Sequence, residues 1–187
     1  MKTPYKLFGI ALLALGAPVL PAAANIINFE ATLNGASETV ANASPATGFL
    51  AATLDDIALT LMVHETFAGL TAPAAAAHIH CCAALGTNAA VVLPFSGASG
   101  FPVGATSGTY DHTFNLATDL TGGITSSTFI SSLLSGLAYG NIHDANFPGG
   151  EIRGQLTKVP EPATTSLLAL GVAALALTRR IKTRRAG

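Results

Sequence analysis

The sequence predicts an all-β protein, a single antiparallel β-sandwich or barrel with one short helix, carried between two apolar terminal targeting helices. Three observations predict it. Segments in the middle of the chain alternate apolar and polar residues with period two, the pattern of half-buried antiparallel strands. Clusters of turn-formers separate those segments at short intervals. Half of the 187 residues are hydrophobic, yet the longest apolar runs sit at the two ends.

The first element is the leader MKTPYKLFGIALLALGAPVLPAAAN. Lys2 and Lys6 give it a basic start, and Leu7 to Leu15 is an apolar run of signal-peptide length. The small residues ending at Ala24 suit signal peptidase, which places cleavage at Ala24–Asn25. The run is too short to span a bilayer, which takes roughly 20 apolar residues. The body begins with IINFEATL, where Ile27, Phe29, Ala31 and Leu33 share one face, and Asn34–Gly35 marks a turn. After Asp55–Asp56, IALTLMVHETF puts Ile57, Leu59, Leu61 and Val63 on one face and Thr60 and His64 on the other. AAVVLPF follows, then the turn SGASG, then GTYDHTFNL with Tyr110, His112, Phe114 and Leu116 on one face.

One stretch breaks the period. SSTFISSLLSG spaces Phe129, Ile130, Leu133 and Leu134 as a helix does, with Ser126 or Ser127 to cap it and Gly136 to end it. LAYGNIH and EIRGQLT read as strands again, separated by the turn Pro148–Gly149–Gly150.

The last element is VPEPATTSLLALGVAALALTRRIKTRRAG. Prolines fix the backbone at Val159–Pro162, and the uncharged run 163–178 approaches the length of a membrane span. Arg179, Arg180, Lys182, Arg184 and Arg185 then form a basic cluster that would stay cytoplasmic. This three-part tail resembles the PEP-CTERM sorting signal of Gram-negative bacteria, with the motif literal at Pro160, Glu161 and Pro162. The resemblance implies recognition and cleavage by an exosortase, after transient anchoring in the inner membrane. The expected organisation is therefore a signal peptide at 1–24, one β domain at 25–158 and a sorting signal at 159–187.

Without its ends the chain has a different charge. Between Asn25 and Val159 only Arg153 and Lys158 are cationic, against nine carboxylates, a net charge of −7. Such a body cannot neutralise phosphates, which excludes nucleic acid as a partner. Membrane contact is left to the terminal segments.

The chemistry-bearing residues are few. In AHIHCC, His78 and His80 fall on one strand face with backbones roughly 7 Å apart, so both rings can reach one metal ion. A metal site needs a third ligand, and His143 at the end of AYGNIH is the natural one, with Asp144 beside it to orient a ring. The cofactor such a trio would take is copper or zinc. The competing reading is two strand histidines that merely hydrogen-bond across the sheet. His64 and His112 lie on strands with no evident polar partner. Cys81 and Cys82 are adjacent and fit no CxxC or zinc-finger spacing, leaving a vicinal disulfide, two free thiols or a thiolate ligand. In FPGGEIRGQL, Gly149 and Gly150 make the turn and Glu151 and Arg153 are structural candidates, the arginine pairing a carboxylate or capping carbonyls. No nucleophile elbow, phosphate loop, dinucleotide fingerprint or paired-carboxylate motif occurs, so nothing points to an enzyme.

Taken together, ATLNGASE (Ala31 to Glu38), HIH, YGNIHD and FPGGEIRGQL resemble the signature of CHRD domains, the modules first described in chordin. The match spans Phe29 to Thr157. TVANAS stands where prolines usually follow the opening glutamate, and Asp144 where threonine is common. The resemblance implies an extracellular all-β domain of immunoglobulin-like or superoxide-dismutase-like architecture and assigns no chemistry. The His-x-His strand is distantly similar to copper–zinc superoxide dismutase, whose remaining ligand spacing is missing here. The function expected is an exported, surface-attached or extracellular binding or structural module. By analogy it belongs to an extracellular matrix, with polysaccharide or surface proteins as partners; a metal-binding, redox-active protein is the alternative.

Overall fold

The computed structural model of the chain describes residues 25–160. The leader with Ala24, and the tail from Glu161 and Pro162 through 163–178 to the basic cluster, lie outside the described residues. So do both expected terminal helices. Among the described residues, no helix is long and apolar enough to cross a membrane.

Among the described residues, nine strands form one antiparallel sheet: β1 (Ile26–Asn34), β2 (Thr47–Asp55), β3 (Thr60–Ala68), β4 (Ala74–Cys81), β5 (Ala90–Phe95), β6 (Gly108–Asn115), β7 (Ala138–Asp144), β8 (Ile152–Gln155) and β9 (Thr157–Lys158). The order across the sheet is β5-β4-β7-β8-β1-β2-β3-β6, with the short β9 also on β1. One helix, α1 (Ser126–Leu134), crosses between β6 and β7. The fold is the all-β class that the alternation predicts.

The sheet curls so that its β2–β3 part faces β7. Gly140 shows this directly: a Cβ on it would lie 2.6 Å from Leu50 Cδ2 and 3.8 Å from Glu65 Oε1. Phe29, Leu33, Leu50, Leu54, Leu61, Val63, Ile79 and Ile142 fill the space between, each fully buried. Polar partners of these residues point outward, as a period of two requires. β5 holds Pro94 at an edge of the sheet, where a missing N–H costs no ladder bond.

Three local expectations shift. The stretch TGFLAATLD forms β2, whose buried face is Leu50, Ala52 and Leu54. β3 starts only at Thr60, because Asp55 accepts from the amides of Ile57 and Ala58 and Leu59 turns at φ 54°; Ile57 is left exposed. The cap of α1 is Thr125, whose hydroxyl accepts from the Thr128 amide, one residue before the serines expected there. Gly136 does follow the helix with φ 70°.

Candidate metal centre

His78 and His80 leave β4 on its outer face, since residues two apart on a strand point the same way. On the neighbouring strand, Asn141 pairs with His78 and Tyr139 with His80. His143, two residues beyond Asn141, therefore shares their face. The three rings meet: centroids are 5.4 Å apart for His78–His80, 5.1 Å for His78–His143 and 6.3 Å for His80–His143. One ring nitrogen from each lies within 4.8 Å of the other two.

Hydrogen bonds fix the tautomers. His80 Nδ1 is 2.9 Å from the carbonyl of Ala89, and His143 Nδ1 is 3.0 Å from that of Pro148. A carbonyl only accepts, so both Nδ1 atoms carry the proton and both Nε2 atoms are bare. Those two Nε2 atoms and His78 Nδ1 are buried without a hydrogen-bond partner. Burial holds all three imidazoles below their usual pKa, His78 at about 4 with the two other rings adding to the effect. Three neutral, convergent imidazoles with unused lone pairs are the donor set of a zinc or copper site. Metal-bound histidines commonly donate their second nitrogen to a carbonyl, which Ala89 and Pro148 already accept here.

Asp144 does not orient an imidazole as the sequence suggests. Its carboxylate accepts from the amides of Phe147 and Ala72 and the hydroxyl of Thr71. Burial would raise its pKa, but these bonds and one from Glu151 outweigh that and hold it low. Glu151 is raised, first by burial and then by Asp144. Glu151 Oε1 accepts from Ser44 and the Thr71 amide, tying two loops to the start of β8.

Arg153 is fully buried beside the histidines. It donates to Thr39 Oγ1 at 3.0 Å, Asn88 Oδ1 at 3.2 Å and the Thr87 carbonyl at 2.8 Å. It caps oxygens and, among the described residues, pairs directly with no carboxylate. Asn141 Nδ2 donates to Glu38, whose carboxyl burial pushes up to about 7, against the pull of Arg153 and that hydrogen bond. His80, His143, Tyr139 and Asn141 wall a cavity of about 190 Å³, and Gly149 forms part of its rim. The turn at Gly149 and Gly150 closes with a bond from the Gly150 amide to Phe147 O, and presents the Pro148 carbonyl to His143.

Other sequence candidates fall elsewhere. Cys81 and Cys82 are bonded to each other, so neither offers a thiolate to the histidines. His64 does have a polar partner, Asp111 across the strands at 2.7 Å, on the exposed face. His112 stacks on Tyr110 and meets Phe114 edge to face. Sequence reasoning missed Tyr139, Asn141, Glu38 and Asn88. The first two were readable from the period of YGNIH; the other two reach the site from loops.

Residues 29–156 match the family model of the CHRD domain, and residues 158–182 match that of the PEP-CTERM protein-sorting motif. No curated protein and no solved structure matches the chain.

Proposed function

The chain belongs to the CHRD domain family, and we propose that it is an exported surface protein whose β domain holds one copper or zinc ion on His78, His80 and His143. The sorting motif supports export through an exosortase to the cell envelope or surface. Around that, the proposed organisation is a signal peptide at 1–24 cut by signal peptidase, the domain at 25–158, and a tail at 159–187 that anchors in the inner membrane until it is cut. Its partners outside would be extracellular polysaccharide or surface proteins of a matrix.

One observation carries the metal reading. Three buried imidazole nitrogens lack any partner, and one ring nitrogen from each histidine lies within 4.8 Å of the other two. An unmade hydrogen bond on a buried polar atom costs about 1–3 kcal/mol, so three together need an occupant. Closing on an ion at about 2.0–2.1 Å requires only that the rings draw together.

Elemental analysis of the exported protein tests it. One copper or zinc per chain is expected, and none in His80→Ala. The chain has no tryptophan, and Tyr139 stacks on His80, so copper(II) should also quench tyrosine emission. A wild-type protein that refuses both metals and keeps its emission would sink the reading.

A further inference from the structure

The cavity over the histidines is not a closed cage. It shares Asn88 and Gly149 with a second cavity of about 340 Å³, lined also by Glu38, Asn42 and Asn146. The inner chamber contains one more unmet group: Asn141 Oδ1 is buried with no partner. Its amide nitrogen is already committed to Glu38, so the oxygen is the free end. That oxygen accepts, and what it lacks is an O–H or N–H donor.

Resting on the metal reading above, we propose that the two chambers form a binding site for a small α-hydroxycarboxylate. Its carboxylate would complete the coordination of the ion and its hydroxyl would donate to Asn141. Charge favours an anion. Three neutral imidazoles leave the charge of a divalent ion uncompensated, and the buried Arg153 adds to it. Size favours a small molecule with room to extend, since the outer chamber falls in the range of ordinary ligand pockets. The amide nitrogen of Asn88, the amide oxygen of Asn146 and the Glu38 carboxyl suit further hydroxyls on the same ligand. Acid and hydroxyl on adjacent carbons suit this arrangement, because His80, His143 and Asn141, each with a bare atom, line the same small chamber.

Gly149 supplies the control. It borders both chambers, a Cβ on it would meet nothing within 4 Å, and its backbone is outside the left-handed region. Gly149→Val therefore adds bulk at the border shared by the two chambers, at a position where the Cβ itself displaces no protein atom. The experiment loads the exported protein with copper(II) and titrates it with sodium glycolate and, separately, sodium acetate. Visible absorption and tyrosine emission are the readouts. Glycolate is expected to bind roughly tenfold more tightly than acetate, the worth of one hydrogen bond to a buried acceptor. Asn141→Leu should erase that preference, and Gly149→Val should weaken both anions, its copper content being measured alongside. Stoichiometric copper with spectra that neither anion moves overturns the inference and leaves the metal reading standing. So does equal affinity for the two anions, or a glycolate preference that survives Asn141→Leu. If that variant does not fold, the Gly149→Val result decides: unimpeded anion binding overturns the proposed passage. A protein that takes up no metal removes both readings together.

Discussion

The imidazole of His80 lies flat against the ring of Tyr139, planes 5° apart and centroids 4.7 Å apart. The guanidinium of Arg153 sits 3.4 Å from the centroid of the same tyrosine. β7 runs between β4 and β8, so Tyr139 is approached from both neighbouring strands. The tyrosine hydroxyl accepts from the Ala89 amide, and the Ala89 carbonyl receives the His80 proton. The ligand rings are thus set by a wall of stacked and hydrogen-bonded groups that itself depends on Arg153.

Arg153→Lys should fail as a conservative change. An ammonium cannot reproduce the planar fork that reaches Thr39, Asn88 and Thr87 while stacking on Tyr139. Arg153→Met should leave those oxygens without their donor. Losses of about 2–4 kcal/mol are expected for each, read from urea unfolding midpoints. A lysine variant as stable as wild type would show that the stack contributes little.

Glu65 gives a pH signature. It is fully buried on the inner face of β3, neither oxygen has a partner, and burial pushes its pKa up to about 8 from the usual 4.5. Between those values the folded chain keeps a proton that the unfolded chain has lost. Rising pH therefore favours unfolding, from about 4.5 upward, and the effect levels off above about 8. The slope is at most about 1.4 kcal/mol per pH unit. Glu38 contributes in the same direction, so the informative quantity is wild type minus Glu65→Gln. That difference should turn against the wild type between pH 5 and pH 9; parallel stability profiles would mean the carboxyl is not held neutral.

Much of this was legible, and the remainder has physical reasons. The faces of β1 and β6 were readable because Phe29, Ala31 and Leu33, and Tyr110 and Phe114, alternate with polar residues. β2 was harder, since Ala51, Ala52 and a leading glycine blur the contrast between its faces. Glu65 falls by period two on the face of Leu61 and Val63, a conflict that the sequence displays without resolving. His78, His80 and His143 could be grouped from strand spacing and position. Glu38, however, reaches Asn141 across 103 residues of chain, and Asn88 reaches Arg153 across 65. No periodicity encodes a loop that folds over a sheet face, so the wall of the site appears only in three dimensions.

Gly140 should accept no side chain. Its Cβ would lie 2.6 Å from Leu50 Cδ2, where the two halves of the curled sheet meet. Gly140→Ala is expected to cost about 1–3 kcal/mol through overpacking. Leu50→Val trims the obstructing methyl, so the double variant should cost less than the two single changes summed. Strict additivity in denaturant unfolding would mean the halves do not touch there.

The adjacent glycines of the Pro148 turn should behave oppositely. Gly149 faces open space, so Gly149→Ala should change stability by no more than about 0.5 kcal/mol. Gly150 has φ 126°, and a Cβ there would lie 2.5 Å from both Asn141 Nδ2 and Glu38 Oε1. Gly150→Ala must both strain the backbone and push that pair aside, a loss of about 2 kcal/mol or more. The displacement would move Asn141 against the cavity of His80 and His143, so copper affinity should fall with stability in this variant alone. Paired unfolding and copper titrations of the two alanine variants check this. If Gly149→Ala proved the more damaging, the turn would have to sit differently over the histidines.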